Sequence, residues 1–251
     1  MRLRGIAAAA VVLLAGCARV PDMPEGPGLT GVLLAEDGSP LPYASVMACR
    51  TEVCFYGSSG ADGRFTFLLD RPGDLLIKTA GDLTASPRRA SPMVPVRVTG
   101  DDFVDVGAVY APSLPPGAAI EAGASGPLSL EAGDGLTLGF DPSALDLPPG
   151  VLLTDLAARR LPESMIPPYP ALGSEDVVAV YALHPFAAKS GTPIAVRVDS
   201  RLPAGTPVAF RTIDETDGTF SDPVSGTATG ESVVTDPGHG ITSLTHLVVT
   251  R

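Results

Sequence analysis

The sequence has no tryptophan, only eight Phe and five Tyr, three His, three Cys and two Lys in 251 residues. So few aromatic side chains argue against surfaces that stack sugars or bases. Three His and three Cys leave little material for metal centres. Basic residues are also short: 17 Lys and Arg stand against 28 Asp and Glu. A surface of that sign repels nucleic acid, whose binding depends on neutralising phosphates. Long apolar runs are limited to one near the start, and it is too short to span a bilayer as a helix, which takes about 20 residues.

Turn formers are abundant. The 28 Gly and 26 Pro together make about a fifth of the chain, yet 45% of residues are hydrophobic. That hydrophobic content excludes full disorder. The breakers exclude an ordinary helical bundle. Many short strands joined by turns satisfy both, and the fold class expected is all-β, with two antiparallel β-sandwich modules.

The first residues have the character of an export signal. Arg2 and Arg4 precede the uncharged apolar run Ile6–Ala15, which ends in Leu14-Ala15-Gly16-Cys17. A basic start, an apolar run of about ten residues and small residues at its end describe a secretory signal. The last four residues resemble the lipobox of bacterial lipoproteins. That resemblance implies a signal peptide over 1–16, cleavage after Gly16, and diacylglyceryl and acyl groups on Cys17. Several buried acyl chains, at about 0.8 kcal/mol per CH2, make a durable anchor. Losing residues 1–16 removes two Arg and no acid, leaving 15 basic against 28 acidic side chains, a net of −13. No basic patch follows Cys17, so the acyl chains alone must hold the membrane. Ala18, where enterobacterial sorting reads Asp as a retention signal, implies the outer membrane of a bacterial cell envelope.

With Cys17 lipidated, Cys49 and Cys54 remain. In an oxidising envelope a close pair of this kind forms a disulfide. Ala44–Cys49 and Cys54–Tyr56 read as strands flanking a four-residue loop, which sets the two Cys opposite each other across a hairpin. Four intervening residues do not match a redox-active pair, and the segment offers too few ligands for a metal.

Residues 17–27 contain three Pro and no periodicity, and read as a tether. From Gly28 the pattern changes to strands. Gly28–Leu34, Pro42–Cys49, Arg64–Leu69, Asp74–Ala80, Met93–Val98 and Phe103–Tyr110 are separated by turns such as Glu36–Pro40 and Gly60–Gly63. Phe65 and Phe67 alternate toward one face. The series Gly31-Val32, Asp37-Gly38-Ser39-Pro40-Leu41-Pro42, Ala44-Ser45-Val46, Asp62-Gly63-Arg64-Phe65-Thr66-Phe67 and Asp105-Val106-Gly107-Ala108-Val109 resembles a carboxypeptidase regulatory-like domain. The resemblance covers 28–111 and implies a transthyretin-like (prealbumin-like) sandwich of about seven strands. The catalytic zinc module associated with that family needs a His and a Glu three positions apart, and none of His184, His239 and His246 has one.

Residues 112–127 have linker composition. A second β-sandwich module is expected over 128–251, with strands at Leu128–Leu130, Leu136–Phe140, Val177–Leu183, Pro193–Asp199, Pro207–Thr212, Ser232–Thr235 and Leu244–Thr250. One short helix is expected at Thr154–Arg160, capped by Thr154. Ala182-Leu183-His184-Pro185-Phe186, Leu202-Pro203-Ala204-Gly205-Thr206, Asp217-Gly218-Thr219-Phe220 and Asp236–Ile241 are similar to β-sandwich modules of large exported bacterial surface proteins. Typical copies carry tryptophan where Phe220 and His246 stand here. This similarity covers 175–251 and implies a structural module.

Other candidates have plainer readings. Asp214, Glu215 and Asp217 could offer carboxylates to calcium, but lack the spacing of a 12-residue calcium loop. A hairpin turn closed by Asp217-Gly218 fits better. Gly57–Ala61 falls one Gly short of a nucleophile elbow and no helix follows. No catalytic residue and no cofactor are expected. The function expected is a lipid-anchored, non-enzymatic envelope protein with a structural or binding role, touching membrane through its anchor and an envelope protein or glycan through its surface. The alternatives are a carbohydrate- or peptide-binding accessory module, and a hydrolase within 112–251 built on one of the three His.

Overall fold

The computed structural model describes residues 26–79 and 87–251. The lipobox with Cys17, the signal segment and most of the tether lie outside those residues. Apart from three single-turn 3-10 helices, the regular structure among the described residues is all strand.

The first seven strands are β1 (Gly28–Leu34), β2 (Ser45–Arg50), β3 (Val53–Ser58), β4 (Arg64–Leu68), β5 (Gly73–Lys78), β6 (Val94–Val98) and β7 (Phe103–Tyr110). They form two sheets, ordered β4-β1-β7 and β3-β2-β5-β6. Period-2 alternation drives the packing: β4 buries Phe65 and Phe67 and exposes Arg64, Thr66 and Leu68. Leu29, Leu33, Val46, Leu75 and Ile77 join these phenylalanines between the sheets. Where an antiparallel sandwich was expected, one pair departs, because β1 runs parallel to β7. Their register slips between Thr30 and Val32. There Gly107 sits at φ 70°, a backbone conformation that L side chains rarely adopt, with its N–H donated to Asp105. A Cβ on the facing Gly31 would lie 2.6 Å from Val106, so both glycines are needed for the bulge to close.

The remaining strands are β8 (Ala118–Ala119), β9 (Leu128–Gly133), β10 (Leu136–Phe140), β11 (Leu145–Asp146), β12 (Asp155–Arg160), β13 (Val177–His184) and β14 (Ala188–Asp199). They are followed by β15 (Pro207–Thr212), β16 (Val224–Ala228), β17 (Ser232–Thr235), β18 (Ile241–Leu244) and β19 (His246–Thr250). Ten of them pair in the order β8-β12-β13-β19-β15-β16-β17-β14-β10-β9, with β11 and β18 against β14. β9 returns beside β8 and β12, so the sheet curls around one core. Tyr181, Phe210, Leu138, Val196 and Leu247 are among its buried members.

The helix expected at Thr154–Arg160 is instead β12. Ala and Leu favour helices when considered alone, but here Ala157–Arg160 pair with β13 and Asp155–Leu156 with β8. Leu156 and Ala158 enter the second core, while Ala157 is buried on the opposite face. Burial on both faces removes the alternation that would have marked a strand.

The two groups of strands do not hang apart on a loose connection. A third core, shared between them, holds Leu76, Ala90, Met93 and Leu114 against Leu161, Tyr169, Val180, Ala182, Ile213 and Val248. Strands β13 and β19 are therefore covered twice: Tyr181 and Val249 face the second core, Val180 and Val248 the shared one. The stretch 112–127 connects the two groups but is itself packed. Leu114 enters the shared core, Ile120 the second core, and Ala118–Ala119 form β8.

Candidate functional site

Cys49 and Cys54 are bonded to each other, with Cα atoms 4.0 Å apart in directly opposed register. The hairpin is tighter than the four-residue loop expected. Arg50 and Val53 also pair, leaving only Thr51 and Glu52 as the turn. Neither lies at positive φ, unlike the primed turns that two-residue hairpins favour. The bridge one pair inward therefore clamps strands that the turn alone would splay.

The chemistry-bearing residues gather at the seam between the two groups of strands. Lys78, on the outer face of β5, is buried, and its Nζ donates to Glu215 Oε2 at 2.6 Å and to the Glu215 carbonyl. That contact draws Glu215 out of any carboxylate cluster. Its neighbours cap their own turn. Asp214 accepts from the Thr216 N–H at 2.8 Å, and Asp217 from the Thr219 N–H at 2.9 Å and hydroxyl at 2.7 Å. Gly218 at φ 76° donates its N–H to the Asp214 carbonyl. The three acids thus form a hairpin turn docked by a lysine.

Arg88 crosses the same seam. Its guanidinium grips both carboxylate oxygens of Asp155 and, through Nη1, donates to His184 Nε2 at 2.8 Å. Arginine has no acceptor, so His184 Nε2 must be the lone-pair nitrogen and the ring is neutral. Burial and the positive guanidinium hold the His184 pKa below its ordinary value, against the pull of Asp155. The Arg88 hydrogen bonds hold the Asp155 carboxyl below the usual range, against burial. A base needs a free lone pair, and here it is taken. The arrangement is a lock and not a general base. A third ion pair, Arg159 with Glu36, closes another part of the seam.

His246 begins β19 and points out of the second core toward β6. It is 2% exposed, and its Nε2 donates to the Ser91 carbonyl at 2.8 Å. Burial lowers its pKa to about 4, opposed by that hydrogen bond. His239 lies in an exposed turn. Among the described residues no histidine is hydrogen-bonded to a serine hydroxyl. Ser59, in the segment resembling a nucleophile elbow, donates to the Leu41 carbonyl at 2.6 Å and accepts from the Ala44 N–H, pinning a loop.

Two clefts open on the seam. One, of about 700 Å³, lies between Met47 and Lys78 of the first group and Asp146–Pro149, Phe186, Lys189 and Glu215 of the second. Both lysines of the chain line it. The other adjoins His246. The first cleft carries one aromatic ring, Phe186, so it is no stacking groove for sugars. Sequence reasoning did not find this seam, because its members are scattered from Glu36 to His246. Only the scarcity of lysine, and a histidine in a strand, hinted at it.

No family model matches the chain, and no curated protein matches it. Among solved structures, similarity is found to a DUF3823 family protein from Parabacteroides merdae, at 11% identity over 85% of this chain and 80% of that one, with a TM-score of 0.26. The major pilin subunit of Bacillus cereus is also similar at 11% identity. It covers 90% of this chain and 58% of its own length, with a TM-score of 0.22. This chain thus spans little more than half of the pilin.

Proposed function

We propose that the protein is lipid-anchored in a bacterial cell envelope, in the outer membrane, and has a non-catalytic structural or binding role there. The observation that carries this reading is the order of the sequence: Arg2 and Arg4, the apolar run, Leu14-Ala15-Gly16-Cys17, then a Pro-rich stretch up to the first strand. Acyl chains on Cys17 fix position. The Pro-rich stretch that follows Cys17 would serve as the tether between anchor and fold. Two further features support display over catalysis. The seam welds both groups of strands into one body through a shared core and partly buried ion pairs. His184 and His246 are each committed to structural hydrogen bonds. The carboxypeptidase regulatory-like reading of 28–111 and the surface-module reading of 175–251 belong to the same proposal.

A partner, whether an envelope protein or a glycan, would meet the body at surfaces such as those of Tyr43 and Tyr56, each three-quarters exposed. The test of the anchor is phase partition in Triton X-114. The wild-type chain enters the detergent phase and mass spectrometry finds acylated Cys17 at its start, while Cys17→Ser stays aqueous. A wild-type chain in the aqueous phase with an unmodified N-terminus refutes the proposal.

A further inference from the structure

The two sheets of the first sandwich end in β4 and β7, and in β3 and β6. A terminal strand offers unpaired N–H and C=O groups to any other strand, unless charge, Pro or a bulge discourages pairing. β6 carries Pro95 and Arg97, β7 carries Asp105 and the bulge, and β4 carries Arg64. β3 has none of these. It reads Val-Cys-Phe-Tyr-Gly-Ser, pairs with β2 in unbroken register, and every residue in it is at least partly exposed. Tyr56, in its middle, is 75% exposed.

The ladder with β2 fixes which backbone groups face outward. Directly opposed antiparallel residues alternate between hydrogen-bonded pairs, with Cα atoms about 5.5 Å apart, and non-hydrogen-bonded pairs about 4.5 Å apart. Cys49 and Cys54, at 4.0 Å, are of the closer kind, so Cys54 turns its N–H and C=O away from β2. Alternation gives Tyr56 and Ser58 the same direction and turns Phe55 and Gly57 toward β2. Ser59, the next position, donates its N–H to the Ala44 carbonyl at 2.9 Å, as that phase requires. Among the described residues no element takes the outward groups of Cys54, Tyr56 and Ser58.

Charge selects the occupant. The chain as a whole carries −11, which sets copies against each other. Around β3 the charges stand in opposite-sign pairs, Arg71 with Glu52, Arg50 with Asp70 and Arg64 with Asp62. The edge thus offers no net field to a charged partner and no repulsion to its own copy.

We propose that β3 is the self-association surface of the protein, pairing antiparallel with β3 of a second copy about a two-fold axis at Tyr56. Each outward N–H and C=O then meets its counterpart, with Cys54 opposite Ser58 of the partner copy and Tyr56 opposite Tyr56. Phe55, partly buried at the margin of the first core, comes opposite Gly57, which has no side chain to obstruct its ring. The two four-stranded sheets become one. Such an edge contact is small, so association is weak and concentration-dependent. The proposal is independent of the lipid anchor. All three cores are built from Leu29 onward, so the chain from Ala18 is the protein to use.

The experiment is sedimentation equilibrium from micromolar to millimolar protein, with hydrogen exchange followed by NMR on the same samples. The wild type passes from monomer to dimer, and the amides of Cys54, Tyr56 and Ser58 gain protection as it does. Tyr56→Pro removes an outward donor that β2 does not use. Tyr56→Lys and Tyr56→Glu each set like charges across the axis. All three weaken self-association about tenfold or more, while an equimolar mixture of the Lys and Glu variants restores dimers. Circular dichroism checks that each is folded, and should Tyr56→Pro not fold, the charged pair carries the test alone. A wild type that stays monomeric throughout overturns the proposal. So do variants that dimerise as the wild type does, a mixture that fails to associate, or a dimer whose β3 amides gain no protection.

Discussion

Acid should destabilise this protein through His246, and by an amount that can be worked out. The folded-state pKa is lowered to about 4 because the ring is wholly buried, whereas an unfolded chain titrates near 6.5. The unfolded state therefore takes up a proton first as the pH falls. The stabilisation is complete above the unfolded value and is lost as the pH drops from about 6.5 toward 4. With 1.36 kcal/mol per pKa unit, the loss is about 2 kcal/mol by pH 5 and about 3 kcal/mol by pH 4. The comparison is wild type against His246→Phe, each unfolded in urea at steps from pH 7.5 to 4.5 and followed by circular dichroism. The variant is the weaker protein at pH 7.5, since the Ser91 carbonyl loses its donor. Its deficit should shrink by about 2 kcal/mol or more at the acid end. A deficit independent of pH, or an NMR titration of His246 with a midpoint at 6 or above in the folded protein, refutes the reasoning.

Two other expectations concern the seam and the hairpin. Replacing either Lys78 or Glu215 by Met strands a partly buried charge and should cost about 3 kcal/mol, whereas the double replacement should recover most of it. A urea double-mutant cycle measures this, and additive losses would show that the pair is not coupled. Changing both Cys49 and Cys54 to Ala should lower stability by about 2 kcal/mol, the loop-closure entropy of so short a ring. A urea midpoint unmoved by the change, or by reductant in the wild type, would contradict the clamp assigned to the bridge.

Local pattern carried much of the fold. Arg64–Leu69 reads correctly as a strand because one face of it is buried and the other is wet, so period 2 survives in the text. The Cys pair reads correctly because a hairpin brings residues five apart into opposition without help from the rest of the chain. Asp217-Gly218 reads correctly as a turn because Gly reaches positive φ wherever it stands. Asp155–Arg160 reads wrongly for the complementary reason. Pairing partners on both edges and burial on both faces erase the alternation, and helix propensity fills the gap.

What the sequence alone determined is the class of structure and its covalent frame: short strands, turns and one bridge. These depend on neighbours in the chain. The tertiary structure decided that the two groups of strands share a core, that Arg88 finds Asp155 and His184, and that His246 is buried with one nitrogen unmatched. Each joins residues more than sixty positions apart. Burial and unpaired polarity are properties of the space between elements, and no periodicity along the chain encodes which outer face will meet which.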